Sequence, residues 1–126
     1  MAELTYLDFA TDEMLYLNAA WAAGMRYNAM VGQAQRICEC FMKHIAARSL
    51  MNTSEVMQSH NLRKIYDYVM SMGIDISEAR ADIMLLNNFY THTRYPGKDA
   101  FMATTQDVDS AVNALNRAVT VILKYK

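Results

Sequence analysis

The longest uninterrupted helical pattern in the chain runs from Tyr27 to Arg48, and it contains no proline. Its apolar residues recur at steps of three and four, which places them on one face of an α-helix. The residues on this face are Tyr27, Met30, Ala34, Ile37, Cys38, Phe41 and Ile45. Such a face is buried in a folded protein, and here other helices must cover it.

A second helical stretch precedes it, from about Thr5 to Ala23. It carries an apolar stripe at helical spacing, made of Leu7, Ala10, Met14, Leu17 and Trp21. Gly24 suits the C-terminal cap of this helix, because glycine adopts positive φ at little cost. The remaining linker, Gly24 to Arg26, is so short that the first two helices must pack antiparallel.

The pattern weakens after Arg48. Met51 to Ser59 is polar and is predicted to be a loop. A third helix is predicted to start at Ser59 or Asn61, and Gly73 is predicted to cap its end.

A fourth helix is predicted from about Glu78 to Thr91, with Ser77 as its N-cap. It should end before Arg94-Tyr95-Pro96-Gly97, where the Pro-Gly pair suits the central positions of a type II turn. Thr105 is predicted to cap the fifth helix, with Asp107 in its first turn.

The composition agrees with a single helical domain over residues 1–126. The chain is 53% hydrophobic and 20% charged, which is typical of a globular protein. Only 4 glycines and 1 proline interrupt it. We therefore predict an all-α fold, an up-and-down antiparallel bundle of five helices, four long and one short.

The net charge and the two cysteines argue against several classes of protein. A net charge of −1 argues against a strongly basic nucleic-acid binder. The 2 cysteines, Cys38 and Cys40, are two positions apart on a helix, so we expect reduced thiols that do not bridge each other. No stretch approaches the ~20 apolar residues of a membrane span, and the acidic N-terminus lacks a signal-peptide core. We expect a cytoplasmic protein without membrane contact.

Motifs of the common enzyme classes do not appear. His44, His60 and His92 lack metal-ligand spacing on any helix, so no metal site is predicted. There is no Ser-His-Asp signature and no glycine-rich phosphate loop. We accordingly predict no catalytic residue and no cofactor.

Three features remain as candidate chemistry. His60 either orders the loop before the third helix or contributes to a site. Arg94 and Tyr95 either present a guanidinium to a phosphate and a ring to a base, or fasten the helix end and pack on the bundle. The scattered cations either converge into an anion site or form a solvated face; they are Arg26, Arg36, Lys43, Arg63 and Lys98.

Three polar residues also form a row along the second helix, since Gln35, Glu39 and Lys43 are spaced four apart. We predict a solvated flank, in which an exposed Glu39–Lys43 pair contributes only a few tenths of a kcal/mol. The alternative is a polar seam at an interface or a pocket.

These stretches, taken in order, resemble the HEPN domain, the nucleotide-binding domain of higher eukaryotes and prokaryotes. Tyr27 and the Gln35, Glu39, Lys43 row resemble the family's tyrosine and its Gln-x3-Glu-x3-Lys run. His60-Asn61-Leu62 resembles the family's His-x-Leu. The remaining matches are Asn88-Phe89-Tyr90 with Arg94-Tyr95-Pro96, and Thr105-Gln106-Asp107 at the head of the last helix.

The resemblance implies a five-helix bundle that dimerises and often pairs with a separate small nucleotidyltransferase, as in prokaryotic toxin–antitoxin arrangements. Some branches of the family are metal-independent ribonucleases in which four to six residues separate an arginine from a following histidine. This chain departs from that pattern, because Arg94 is followed at that spacing by Asp99, Ala100 and Phe101.

We therefore expect a non-catalytic homodimeric module that binds a nucleotide or another phosphate-bearing ligand, or docks a nucleotidyltransferase. The ligand-binding residues are predicted to be Arg94, Tyr95, His60, Lys43 and Tyr27. Two alternatives stay open: a ribonuclease with a non-standard site such as His92 with Arg94, and a purely structural dimeric interaction protein.

Overall fold

The structure is a computed structural model that describes residues 4–49, 54–94, 96–98 and 100–125, with the backbone alone for residues 90–94. Within these residues the helix is the only regular secondary structure and there is no strand, which confirms the all-α prediction. The helices are α1 (Tyr6–Ala22), α2 (Asn28–Ala46), α3 (Ser54–Gln58), α4 (Leu62–Ser71), α5 (Arg80–Arg94) and α6 (Thr105–Ile122). Short 3-10 turns cover Ser77–Ala79 and Leu123–Tyr125.

Helix α2 is the centre of the bundle and contacts α1, α4, α5 and α6. Helices α2 and α6 start at the same end, where Asn28 Oδ1 accepts a hydrogen bond of 2.7 Å from Ala103 N. Helix α5 runs opposite to α6, since Asp82 near its start pairs with Arg117 near the end of α6 at 2.9 Å. The long helices therefore pack side by side as a bundle.

The apolar face predicted for α2 is buried, apart from its first residue. Met30 at 5% is the most exposed of the other residues on this face. Tyr27 was wrongly placed among them, because it is the extended N-cap residue of α2, with φ −111° and ψ 144°, and is 63% exposed.

Glycine ends two helices as predicted. Gly24 and Gly73 have φ of +90° and +83°, in the left-handed region that glycine alone enters without strain. The type II turn predicted at Pro96-Gly97 is wrong, because its second central residue needs positive φ and Gly97 lacks it. A hydrogen bond of 3.2 Å from Ala100 N to the Gly97 carbonyl oxygen closes a later turn.

Two predicted N-caps were also wrong. Thr104, not Thr105, caps α6: its hydroxyl accepts from Asp107 N at 3.1 Å while Asp107 Oδ2 accepts from Thr104 N at 2.9 Å. Ser77 caps nothing, because it lies within a 3-10 turn and its hydroxyl donates to Asp75 Oδ1 at 2.6 Å.

Two element boundaries differ from the prediction. The predicted loop of residues 51–59 includes the short helix α3, which buries Val56 against the core. Helix α5 starts at Arg80 and continues through Arg94, beyond the predicted end at Thr91. Among the described residues, no helix combines the length and the apolar character that crossing a bilayer requires.

Candidate ligand site around His60

The polar row of α2 lies inside the protein. Gln35, Glu39 and Lys43 are exposed by only 0%, 5% and 3%. The predicted solvated flank is therefore wrong, because α2 is the central helix and other helices surround it. The row is a buried polar seam, which we call the α2 seam.

The carboxylate of Glu39 is the centre of the α2 seam. Its Oε2 lies 2.9 Å from Lys43 Nζ, and Nδ1 of His60 lies 3.1 Å from Oε1 and 3.2 Å from Oε2. A carboxylate paired with an ammonium group can only accept hydrogen bonds, so the proton between Glu39 and His60 belongs to Nδ1. Glu39 thus fixes both the tautomer and the orientation of the imidazole.

The backbone around His60 is held as well. Gln35 Nε2 donates to the His60 carbonyl oxygen at 2.9 Å, and Asn87 Oδ1 accepts from Leu62 N at 2.9 Å. Asn61 caps α4, since its Oδ1 accepts from Arg63 N at 3.0 Å. The imidazole of His60 is therefore fixed at its base, although 61% of its side chain is exposed.

One atom of the α2 seam lacks a protein partner. Gln35 Oε1 is buried and accepts no hydrogen bond from the described residues. A buried amide oxygen without a donor is costly. This atom marks the seam as a place where a further donor would be favourable.

Charge balance explains how the α2 seam remains stable. Lys43 neutralises Glu39, and burying either charge alone would cost several kcal/mol. The Glu39–Lys43 pair therefore carries no net charge.

The structure brings together some of the predicted ligand-binding residues and separates another. Lys43 and His60 meet through Glu39. Tyr27 is at the opposite end of α2, about 24 Å from Lys43 at 1.5 Å per residue. The side chain of Arg94 and the whole of Tyr95 lie outside the described residues, although the α5 backbone reaches Arg94 about 10 Å beyond Asn87.

Two of the scattered cations, Arg26 and Arg36, do not converge with Lys43 into an anion site. Arg26 Nε lies 2.7 Å from Asp109 Oδ1, and its guanidinium stacks over the Trp21 ring at 5.3 Å. Arg36 pairs with Glu13. Both cations therefore join helices elsewhere in the bundle. The described residues also contain no cluster of three or more His, Cys, Asp or Glu side chains able to hold a metal ion.

Asn87 was missed by the sequence analysis, although it orients the start of α4. The sequence could have indicated this residue. Asn87 lies four residues after the buried Ile83, so it is a polar residue on the apolar side of α5. Polar residues at such positions are usually satisfied by a specific partner.

Comparison with known proteins supplies the family. The family model for the HEPN domain matches residues 15–125, a span that contains the whole α2 seam, His60 and Asn87. No curated protein and no solved structure shows a significant match. Since the matched span covers nearly the entire chain, the protein belongs to the HEPN domain family.

Proposed function

We propose that this chain is a non-catalytic HEPN module that binds a nucleotide or another phosphate-bearing ligand at His60, with Arg94 and Tyr95 completing the site. HEPN domains form a family of nucleotide-binding or ribonuclease-like modules. The observation that carries the proposal is an imidazole anchored to buried Glu39 and 61% exposed. Fixing the orientation of a ligand-binding ring before the ligand arrives reduces the entropy lost on binding.

The chemistry of the anchored imidazole suits a phosphate. Nδ1 faces Glu39, so Nε2 is on the opposite side of the ring. When the ring is protonated, Nε2–H forms a charge-assisted hydrogen bond with a phosphate oxygen. Lys43 already balances Glu39, so the extra positive charge is not cancelled within the α2 seam.

The other predicted residues take different parts in this proposal. Lys43 is a positioning residue, because its ammonium group is buried and bound to Glu39. Arg94 supplies a guanidinium fork and Tyr95 a ring for stacking on a base. Tyr27 is distant along α2, so it contacts the same ligand only if that ligand is an oligonucleotide several residues long.

The proposed assembly is a cytoplasmic homodimer that also docks a small nucleotidyltransferase. HEPN domains often dimerise, which supports the first part. The mass of the purified protein, measured by light scattering alone and with a candidate nucleotidyltransferase, tests both parts. A mass of 14.4 kDa at every concentration would contradict the homodimer.

Thermal unfolding with and without nucleotides tests the binding site. A ligand at 100 times its Kd stabilises the native state by about 2.7 kcal/mol, which is several degrees for a domain of this size. The shift should disappear in folded His60→Gln and Arg94→Ala variants. It should persist in Arg80→Gln, a control that removes an exposed cation from the start of α5. Stabilisation that survives in all three variants would place the ligand elsewhere.

RNA cleavage is the second candidate function, and the Glu39–His60 pair is the observation that favours it. A carboxylate that orients an imidazole is a common arrangement in general acid–base catalysis. Purified protein incubated with RNA and a chelator tests this function. Cleavage lost in His60→Gln would support it, and cleavage lost in His92→Ala alone would favour the Arg94–His92 site. No cleavage by the wild type would eliminate both.

A further inference from the structure

A concave surface lies between the first turns of α1 and the end of α2, and it shares no residue with the α2 seam. It is open to solvent and has a volume of about 470 Å³, within the ~300–1,000 Å³ typical of small-molecule sites. Leu4, Tyr6, Phe9 and Ala47 form its apolar walls, and we call it the α1–α2 hollow. Leu4 and Phe9 are 73% and 57% exposed, so large apolar groups remain uncovered there.

Two of the polar residues that line the α1–α2 hollow carry nitrogen atoms in their side chains. His44 and Arg48 lie one helical turn apart and line it together. Neither side chain forms a hydrogen bond or an ion pair with another described residue. No carboxylate is among the described residues that line the hollow. The hollow therefore offers donors and positive charge beside an apolar wall.

The remaining polar lining residue is already engaged. The Thr5 hydroxyl donates to Asp8 Oδ2 at 3.1 Å and accepts from Asp8 N at 3.3 Å, which closes the capping box of α1. Recognition of an anion is thus left to Arg48, whose guanidinium offers a planar fork of donors, and to His44.

We propose that the α1–α2 hollow is a second ligand site, for a small molecule that joins one anionic group to a flat apolar ring. The ring lies against Tyr6 and Phe9, and the anion faces Arg48. The site is independent of His60, since the two share no residue. It also includes residues before Leu15, where the family match begins.

The test uses two fluorescent dyes of nearly the same shape. Anilinonaphthalene sulfonate carries the anion, and phenylnaphthylamine is the same ring system without it. Wild-type protein should bind the sulfonate more tightly. Arg48→Gln should weaken sulfonate binding by roughly tenfold or more, since a hydrogen bond to a charged group is lost, and should leave the amine nearly unchanged. Phe9→Ser should weaken binding of both dyes.

Matched controls come from the same chain. Arg63→Gln removes an exposed arginine from α4, and Tyr16→Ser removes an exposed aromatic ring from α1 outside the hollow. Both controls should bind the two dyes as the wild type does, with circular dichroism showing intact folds. Sulfonate binding that Arg48→Gln leaves unchanged, or that Tyr16→Ser reduces as much as Phe9→Ser, would overturn the proposal.

Discussion

Glu39 and His60 are 21 residues apart in sequence, yet Nδ1 of His60 lies 3.1 Å from Oε1 of Glu39. Glu39 lies inside the central helix, and His60 belongs to the segment that leads into α4. The contact therefore connects a buried charge with an exposed ring. Any change to Glu39 should affect both the stability of the bundle and the orientation of the imidazole.

Glu39→Gln should lower the free energy of unfolding by about 3–5 kcal/mol, because the buried ammonium group of Lys43 loses its counter-charge. Denaturant unfolding measures this loss. The double variant Glu39→Leu with Lys43→Met should be more stable than Glu39→Gln, since it buries no charge. If Glu39→Gln unfolds as the wild type does, the pair is not buried as described.

The capping threonine of α6 gives a second prediction. Thr104→Ala should cost about 0.5–2 kcal/mol, because the backbone of Asp107 loses its hydroxyl partner. Thr105→Ala removes a similar side chain from the first position of the helix and should cost less. The denaturant midpoints of the two variants show which threonine is the N-cap of α6. Equal losses of stability would contradict the assignment of Thr104.

Glycine substitutions test the helix end at Gly73. Gly73→Ala should destabilise the protein by roughly 1–2 kcal/mol, because φ of +83° is strained for a residue with a Cβ. Gly97→Ala is the control, since Gly97 lacks positive φ and a Cβ there meets no atom within 4 Å. The difference between the two thermal midpoints measures the strain. A larger loss for Gly97→Ala would be inconsistent with this backbone.

Burial raises the pKa of the Cys38 thiol from an ordinary 9.0 to about 12, and the nearby charges of Glu39 and Asp82 add to the shift. The folded protein thus keeps a proton that the unfolded chain releases. The resulting stability is complete below pH 9 and is lost as the pH rises through about 12. The wild type should lose stability over this range more steeply than Cys38→Ala. If chemical denaturation shows the free energies of unfolding of the two proteins falling in parallel with pH, the Cys38 thiol does not cause the loss.

Local patterns predicted much of the fold. The apolar spacing of Met30, Ala34 and Phe41 identified the inward face of α2, and Gly24 identified the end of α1. These signals lie within a few residues of one another. The N-cap of α6 could also have been predicted correctly. Thr104 and Asp107 have the three-residue spacing of a capping box, whereas Thr105 and Asp107 do not.

The α2 seam was not predictable in the same way. Spacing shows that Gln35, Glu39 and Lys43 share one row, but not whether other elements cover that row. Charged side chains are usually exposed, so composition favoured a solvated flank. The burial depends on α4 and on contacts such as Glu39 with His60, which only the folded chain creates.

The most direct test of the proposed function observes the histidine rings during a nucleotide titration. Nuclear magnetic resonance of the imidazole nitrogens distinguishes His60 from His44. Glu39→Gln, compared below its own unfolding temperature, supplies a protein in which the ring is no longer anchored by a carboxylate. We predict that nucleotide shifts the His60 Nε2 resonance in a saturable manner and binds Glu39→Gln more weakly. Saturable binding that leaves the His60 ring unchanged would contradict the assignment of the site.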